Sequence, residues 1–361
     1  MTDGGEKTAA GGRLSIRVGV AGLGRAAILE HIPELLSLPE RFTVAAVCDL
    51  LKPRRDHVES ICPDARPYRR IDDMLDDPDL DLIDICTRSP DHAAHAAAAL
   101  KRGKWTVLES PMAMDHAGAV ALRAQAIHAD NRLIVRHPCI FDPDFLLARK
   151  MMRDRRLGEI HEVKIRHEDY IRRGDWQSVR KCGGGVLNHA MPGAMLQALA
   201  LLQTPPVKMW AEQKHIVSLG DADDYARAIL RTRDGMTAVI EVSDAHLPPP
   251  EPSFTICGSL GRFTVMPGMS EGVLHAIDPD RPPPRRRCSV RTPPLEAPRE
   301  DLRIVDIPVS LDEAEKARSG RVAFWNAVWR AVRLGEYFPA TLEDSIEVLR
   351  FTGLMVQNAS K

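Results

Sequence analysis

The chain has 361 residues, more than one ordinary core fills, and fits two domains of roughly 100 to 200 residues each. Its 49 basic and 50 acidic residues nearly cancel, so no global field recruits nucleic acid or an anionic membrane, and a small neutral or weakly charged ligand is expected. Seven scattered cysteines, odd in number and never spaced CxxC, argue against both a disulfide framework and a zinc site.

Residues 1–14 begin MTDGGEKTAAGG, with acidic and glycine residues where a signal peptide needs an apolar stretch, and read as a short disordered tail. No apolar run approaches the ~20 residues of a membrane span, so a cytoplasmic protein is expected. A nucleotide-binding domain is expected over 15–137. From Ile16, IRVGVAGLGRAAILEHIPEL reads as a β-branched strand, the turn Gly22-x-Gly24-x-x-Ala27, and a segment of helical period. Gly22 permits the tight turn. Gly24 lets a pyrophosphate approach the backbone N–H groups at the positive end of the helix, with Arg25 and Ala26 in the same turn.

A second strand, FTVAAVCDL, ends in Asp49, 25 residues after Gly24. A carboxylate there accepts hydrogen bonds from ribose hydroxyls and repels a 2′-phosphate, which favours NAD; the nearby Lys52, Arg54 and Arg55 leave NADP open. Further strands at LDLIDICT, KWTVLE and RLIVRH alternate with the helical stretches HAAHAAAALKRG and AGAVALRAQAIHAD, so a doubly wound parallel sheet is predicted. Ligands of such sheets sit beyond the carboxyl ends of the strands, where Asp49, Thr87 and Glu109 fall. His137, in VRHP, either faces the nicotinamide or simply turns the chain into the second domain, expected over 138–361.

After about residue 145 the pattern becomes β-rich: EIHEVKIRHEDY, VKMWAEQKHIVSL, YARAILRT, MTAVIEVSDAH, SFTICG and GRFTVM, several joined by the turn signals RDG and GSLG that make antiparallel neighbours. A proline- and arginine-rich stretch at about 279–301 reads as an exposed loop, without the interleaved aromatics that stack on bases. A closing helix is expected at about 341–358.

VGVAGLGRA, the Cys48-Asp49 pair, ICTRSPDHAAHAAAAL, GKWTVLESP, FDPDF, GDWQSVRKCGGGVLN and FPATLEDSIEVLRF, in this order, resemble the glucose-fructose oxidoreductase and inositol dehydrogenase family, Gfo/Idh/MocA. The resemblance implies an N-terminal Rossmann domain and a C-terminal α/β domain with a large open, mostly antiparallel sheet. It further implies an NAD(P)-dependent oxidoreductase acting on a sugar, nucleotide sugar or cyclitol, and a homodimer or homotetramer formed through that sheet. Thr87, His92, Glu109 and Pro111 fall on the motifs of the family's cofactor site.

Two stretches break the pattern. In ESPMAM, Ser110 stands where the family has the lysine that contacts the nicotinamide ribose and the substrate, and a serine supplies no charge for developing alkoxide character. In GGGVLNHAMPGAMLQAL, alignment on the glycines puts His189 at the family's Asp or Asn, Met191 at its glycine, Gly193 at its general-base histidine and Leu196 at its following Asp. At roughly 10²- to 10⁴-fold for each acid–base group, losing both would remove roughly 5 to 10 kcal/mol of transition-state stabilisation.

Either the site is rebuilt or the reaction has changed. His189, one helical turn before Gly193, is the candidate base, or else a polar residue packing its helix start. Lys181 is the candidate replacement cation. Asn188, Asp175, Trp176 and Tyr170 are candidate substrate contacts, and the histidines at 161, 167, 189 and 215 lack a metal-ligand spacing. The alternatives are a catalytically silent sensor or subunit, and NAD-assisted elimination or hydrolysis without net redox change.

Overall fold

The computed structural model describes residues 14–282 and 302–359. The N-terminal tail apart from Leu14, and the proline- and arginine-rich loop from 283 with Cys288, lie outside the described residues. The chain divides into two compact units.

The first unit holds six parallel strands: β1 (Ile16–Ala21), β2 (Phe42–Cys48), β3 (Arg66–Tyr68), β4 (Leu82–Ile85), β5 (Trp105–Glu109) and β6 (Leu133–Arg136). Their order is β3-β2-β1-β4-β5-β6, the doubly wound arrangement predicted, with its switch point between β1 and β4. Strands covered on both faces are largely apolar rather than alternating, as in the fully buried β4, whose one polar residue is Asp84. The crossovers carry α1 (Ile32–Leu36), α2 (Lys52–Glu59), α3 (Ile71–Leu75), α4 (His92–Lys101) and α5 (His116–His128). Helix α4 lays Ala96, Ala99 and Leu100 against Ile83 and Leu108 in one core, its alanines letting it sit close to the sheet. Asp115 caps α5 by accepting from the Gly118 N–H at 2.7 Å.

The predicted helix after the glycine turn begins instead as a π-turn, Ala27–His31, in which the Ile32 N–H bonds to the Ala27 carbonyl. Pro33 explains the wide turn: it has no N–H to give the Leu29 carbonyl, and its ring would collide with that oxygen in an α-turn. The widening places His31 in the interior, fully buried.

The second unit begins at Cys139 but does not keep the chain to its end: Arg321–Arg350 return to the first unit. Helix α10 (Arg321–Leu334, named here ahead of α6–α9) carries the reason. Its Trp325 is fully buried, meets Phe42 edge-on with ring centroids 5.6 Å apart, and gives its indole N–H to Glu34 at 2.8 Å. Burying an indole removes ~150–250 Å² from water, which holds the helix to the sheet edge.

The second unit is built on eight strands: β7 (Ile160–Glu168), β8 (Pro206–Lys214), β9 (Tyr225–Thr232), β10 (Thr237–Ser243), β11 (Phe254–Gly258), β12 (Gly261–Val265), β13 (Glu271–Ile277) and β14 (Ile304–Ser310). They run in the order β14-β13-β12-β11-β7-β10-β9-β8, all neighbours antiparallel except β7 and β10, which are parallel. The RDG and GSLG turns join β9 to β10 and β11 to β12 as the sequence predicts. Val163, Ile165, Ala238, Ile240 and Val242 alternate inward to form the buried face. Helices α6 (Pro143–Met151) and α8 (Met191–Leu201) pack on this sheet; α7 (Val186–His189) precedes α8 directly, and α9 (Glu313–Lys316) follows β14. The chain closes with α11 (Leu342–Ala359). Among the described residues no helix is long and apolar enough to cross a membrane.

Candidate active site

The glycine turn of the first unit is shaped for a phosphate. Gly22 has φ +88°, and a Cβ there would lie 2.7 Å from the Cys86 carbonyl oxygen, so only glycine lets β1 and β4 come together. A Cβ on Gly24 would meet nothing within 4 Å, which leaves the open approach to the backbone that a pyrophosphate needs. Arg25 is exposed and Ala26 half-buried beside it.

Asp49 is nearly buried. Its carboxylate accepts from the Leu23 N–H at 2.9 Å, the Leu51 N–H at 2.9 Å and Arg54 at 3.2 Å. One of these bonds fixes the glycine turn and the other two fix the chain just after β2, so most of its acceptor capacity is used within the protein and little is left for a ribose hydroxyl. His92 is also committed inside the protein, Nδ1 lying 2.7 Å from the Pro111 carbonyl and Nε2 3.0 Å from the Thr87 carbonyl, so it ties the turn after β4 to the turn after β5. The Thr87 hydroxyl pairs with His95 at 3.0 Å. The Ser110–Pro111 peptide is cis, and the Ser110 Oγ is buried without a partner. An orphaned hydroxyl at the end of β5 fits a ligand that supplies the missing bond.

Beneath Ser110 lies an ionic network that the sequence did not reveal. His31 places Nδ1 2.8 Å from Asp84 and Nε2 2.7 Å from Glu109. Arg136 reaches Glu34 at 2.9 Å and Glu109 at 3.5 Å, and Glu109 accepts the Ser110 N–H at 3.1 Å through its other oxygen. Burial works against charge on His31, Glu109 and Arg136, but the pairing prevails. Arg136 and His31 draw the Glu109 carboxyl down to about 2, and Asp84 holds the His31 ring well above its ordinary value. Burial and Asp84 push the Cys86 thiol, 3.1 Å from His31, up to about 12.

His31, Asp84 and Cys86 are the one trio of metal-capable side chains that stand close together among the described residues. Two ligands ~2.0 Å from a tetrahedral ion stand roughly 3.3 Å apart. The shorter 2.8 Å between His31 and Asp84, with a protonated thiol beside them, describes hydrogen bonds.

In the second unit the glycine triplet builds the seat of α7. A Cβ on Gly184 would lie 2.4 Å from the Gln177 carbonyl oxygen, and one on Gly185, with φ +107°, would lie 2.3 Å from the Asp223 carboxylate. Asp223 accepts the Leu187 N–H at 2.8 Å and so satisfies the open start of the helix; its burial pushes the carboxyl up. His189, on the last residue of α7, lies with Nε2 3.6 Å from Asp244 Oδ2, and neither ring nitrogen has a hydrogen-bond partner.

Asp244 accepts from Arg173 at 2.9 Å, and Arg173 also donates to Gln177 at 2.9 Å. Despite its burial, the neighbouring His189 and Arg173 hold the Asp244 carboxyl below its usual range. The parallel pairing of β7 and β10 brings the exits of the two strands side by side, with Tyr170 bridged to Ala245 through the backbone.

Of the predicted substrate residues, Tyr170 is 41% exposed at that strand exit and Trp176 is half-buried. Asn188 turns its amide back to the Gly184 carbonyl at 3.2 Å. Asp175 caps the short turn Trp176–Ser178 through the Gln177 N–H at 2.8 Å, and Lys181 is exposed beside Asp221. Gly193, at the family histidine position, faces Cys139: a Cβ there would sit 3.3 Å from the sulfur, so a side chain at this place would press on Cys139. His137 is buried, pairs with Ser345 at 3.0 Å, and is pushed by burial down to about 4, which makes it a neutral part of the chain turn. Asp244, Arg173 and Asp223 were missed; the pair DD in DADDY and the polar SDAH after a strand were the available signals.

A model of an oxidoreductase family with an NAD-binding Rossmann fold matches residues 16–137, and a model of the GFO/IDH/MocA C-terminal domain matches 145–264. An uncharacterised oxidoreductase of Schizosaccharomyces pombe is 28% identical over 219 residues, 60% of this chain and 59% of that protein, so the chain spans well under two thirds of that relative's length. The scyllo-inositol 2-dehydrogenase (NADP(+)) IolW of Bacillus subtilis is 21% identical over 352 residues, 96% of this chain and 94% of that protein. Among solved structures, the WlbA dehydrogenase of Bordetella pertussis, in complex with NADH and UDP-GlcNAcA, matches with a TM-score of 0.73 at 20% identity, covering 96% of this chain and 97% of its own.

Proposed function

Because the chain belongs to the Gfo/Idh/MocA oxidoreductase family and carries its NAD-binding Rossmann domain, we propose that it interconverts a hydroxyl-bearing carbon and the corresponding carbonyl of a cyclitol, sugar or nucleotide sugar, with His189 as the general base of the oxidation and its imidazolium the acid of the reverse reduction. The observation that carries this reading is the His189–Asp244 pair, a polar group that ends α7, across the break at Ala190 from the family histidine position at Gly193 rather than one turn before it on a single helix, and that is backed by a carboxylate. Bound NAD supplies the hydride acceptor, and the Gly22–Gly24 turn, Ser110 and the loops tied by His92 hold it.

His189 takes the proton of the substrate hydroxyl, and Asp244, itself neutralised in part by Arg173, steadies the imidazolium that results. The 3.6 Å separation is long for a hydrogen bond and is expected to tighten when substrate fills the site. Lys181, exposed beside Asp221, adds positive potential at most, and Asn188, Trp176 and Tyr170 supply substrate contacts. IolW acts on scyllo-inositol and WlbA is seen with UDP-GlcNAcA, which supports a polyhydroxylated substrate of this kind. Self-association through the C-terminal sheet belongs to the same reading, supported by the exposed Val207 and Trp210 on edge strand β8.

The test is a panel of cyclitols, aldoses and UDP-sugars incubated with NAD⁺ and NADP⁺, followed by absorbance of the reduced cofactor and mass analysis of the products. Oxidised product with reduced cofactor supports the reading. Ser110 in place of the lysine favours a second reading, ligand binding without turnover, and sugar binding with no product from any panel member would establish it. Product formed without net reduction would instead mark NAD-assisted elimination or hydrolysis.

A further inference from the structure

A buried ionic network of the first unit lies outside the acid–base site just described. His31 has no exposed surface, and both its ring nitrogens point at carboxylates from different strands, Asp84 of β4 and Glu109 of β5. A neutral imidazole has one N–H and can satisfy one such partner; only the imidazolium donates to both. Every element packed around it contributes. Arg136 of β6 joins Glu109 to Glu34 of α1, Arg321 of α10 pairs with Glu30, Cys86 lies against Nδ1, and the Trp325 ring closes the last side with centroids 6.2 Å apart. Three cations, His31, Arg136 and Arg321, thus face four carboxylates, Glu30, Glu34, Asp84 and Glu109. Without the imidazolium, two cations would face four buried or half-buried anions.

We propose that His31 is a positioning residue for the nucleotide site: its imidazolium, clamped between Asp84 and Glu109, fixes the Glu109 carboxylate that holds the Ser110 N–H, and so sets the turn at which the family's lysine is missing. The line of contact is short and continuous. His31 Nε2 bonds one Glu109 oxygen at 2.7 Å, and the other Glu109 oxygen takes the Ser110 N–H at 3.1 Å. Ser110 and Pro111 follow directly, and His92 anchors the Pro111 carbonyl from the other side. Removing the imidazolium leaves Glu109 with Arg136, at 3.5 Å, as its remaining cation, and a carboxylate that turns toward Arg136 releases the backbone of the turn. The π-turn forced by Pro33 is what brings His31 inward to make these bonds.

The inference rests on NAD binding and not on any particular substrate, so it stands or falls apart from the proposed reaction. The experiment is calorimetric titration of NADH into the full-length protein and its His31→Gln, Glu109→Gln and doubly substituted forms, with nitrogen NMR of the wild-type protein labelled at histidine. His31→Gln is expected to weaken NADH binding about tenfold or more, through loss of a charge-assisted contact. Glu109→Gln added to it is expected to restore most of that loss, because a neutral amide needs no imidazolium beside it. The wild-type spectrum is expected to show His31 protonated on both nitrogens at mildly alkaline pH.

Unchanged NADH affinity in a folded His31→Gln protein would overturn the proposal and leave His31 a stability element. Simple addition of the two losses in the double form would do the same. Should His31→Gln alone fail to fold, the double form and the spectrum decide, and a ring carrying a single proton refutes the clamp.

Discussion

His189 Nε2 and Asp244 Oδ2 stand 3.6 Å apart, joined by no bond along the local chain: one ends a four-residue helix, and the other leaves a strand 55 positions later. The segment at Asp223 and Asp224 holds them together. The Asp223 carbonyl accepts the Val186 N–H at 3.0 Å, and the Asp224 carbonyl accepts the Asp244 N–H at 2.8 Å, so a single dipeptide ties the start of α7 to the exit of β10.

Asp244→Asn should slow turnover more than it weakens substrate binding. The amide keeps the shape but removes a charge-assisted contact of about 1.5–3 kcal/mol, or roughly ten- to a hundredfold in kcat. Steady-state kinetics of the variant on the substrate found by panel screening checks this; an effect confined to KM would place Asp244 among the binding residues.

Gly185→Ala should damage the second unit from its backbone outward. The residue sits at φ +107°, where a side chain costs about 1–3 kcal/mol, and its new Cβ would collide with the Asp223 carboxylate. A lowered Tm is expected, together with lost turnover as α7 shifts, and thermal unfolding beside the kinetics reads both.

Trp325→Ala should cost about 3–5 kcal/mol in denaturant unfolding, the range for deleting a fully buried aromatic. The loss also strips Glu34 of its indole donor. NADH affinity should fall along with stability, since α10 closes one side of the His31 network.

His137 predicts a slope in the pH dependence of stability. Its ordinary value of 6.5 is lowered to about 4 in the folded chain, so between these values the unfolded chain binds the extra proton and stability falls as pH falls. The full effect is about 3 kcal/mol. His137→Asn should flatten the upper part of that slope, from 6.5 downward, before the carboxylates begin to titrate. An unchanged slope in denaturant titrations would show that His137 is not its source.

The parts of this molecule that were legible in the sequence are those written in short range. Gly22, Gly24 and Asp49 lie within one strand-turn-helix-strand stretch, and the glycine triplet announces close backbone approach by itself. The His31 network was not legible, because its bonds join residues 53, 78 and 102 positions apart, and of its members only Glu109 stood out, as a cofactor-site residue rather than as an ion-pair partner. Asp244 was hidden for another reason: only the parallel pairing of β7 with β10, an exception within an antiparallel sheet, sets its strand exit beside Tyr170. The return of residues 321–350 to the first unit likewise depends on where Trp325 finds its pocket. Three of the expected cofactor residues, Asp49, His92 and Glu109, prove to be occupied by the protein's own backbone and side chains. A motif gives a residue's place, but its free hydrogen-bonding capacity is set by tertiary neighbours.

The most direct measurement compares wild-type and His189→Ala proteins in NAD⁺-dependent turnover of the substrate identified by the panel, with NADH affinity measured on both. Turnover is expected to fall roughly 10²- to 10⁴-fold while NADH affinity stays the same, as loss of a general base requires. Equal turnover in the two proteins would contradict His189 as the base and return the search to the other polar groups around Asp244.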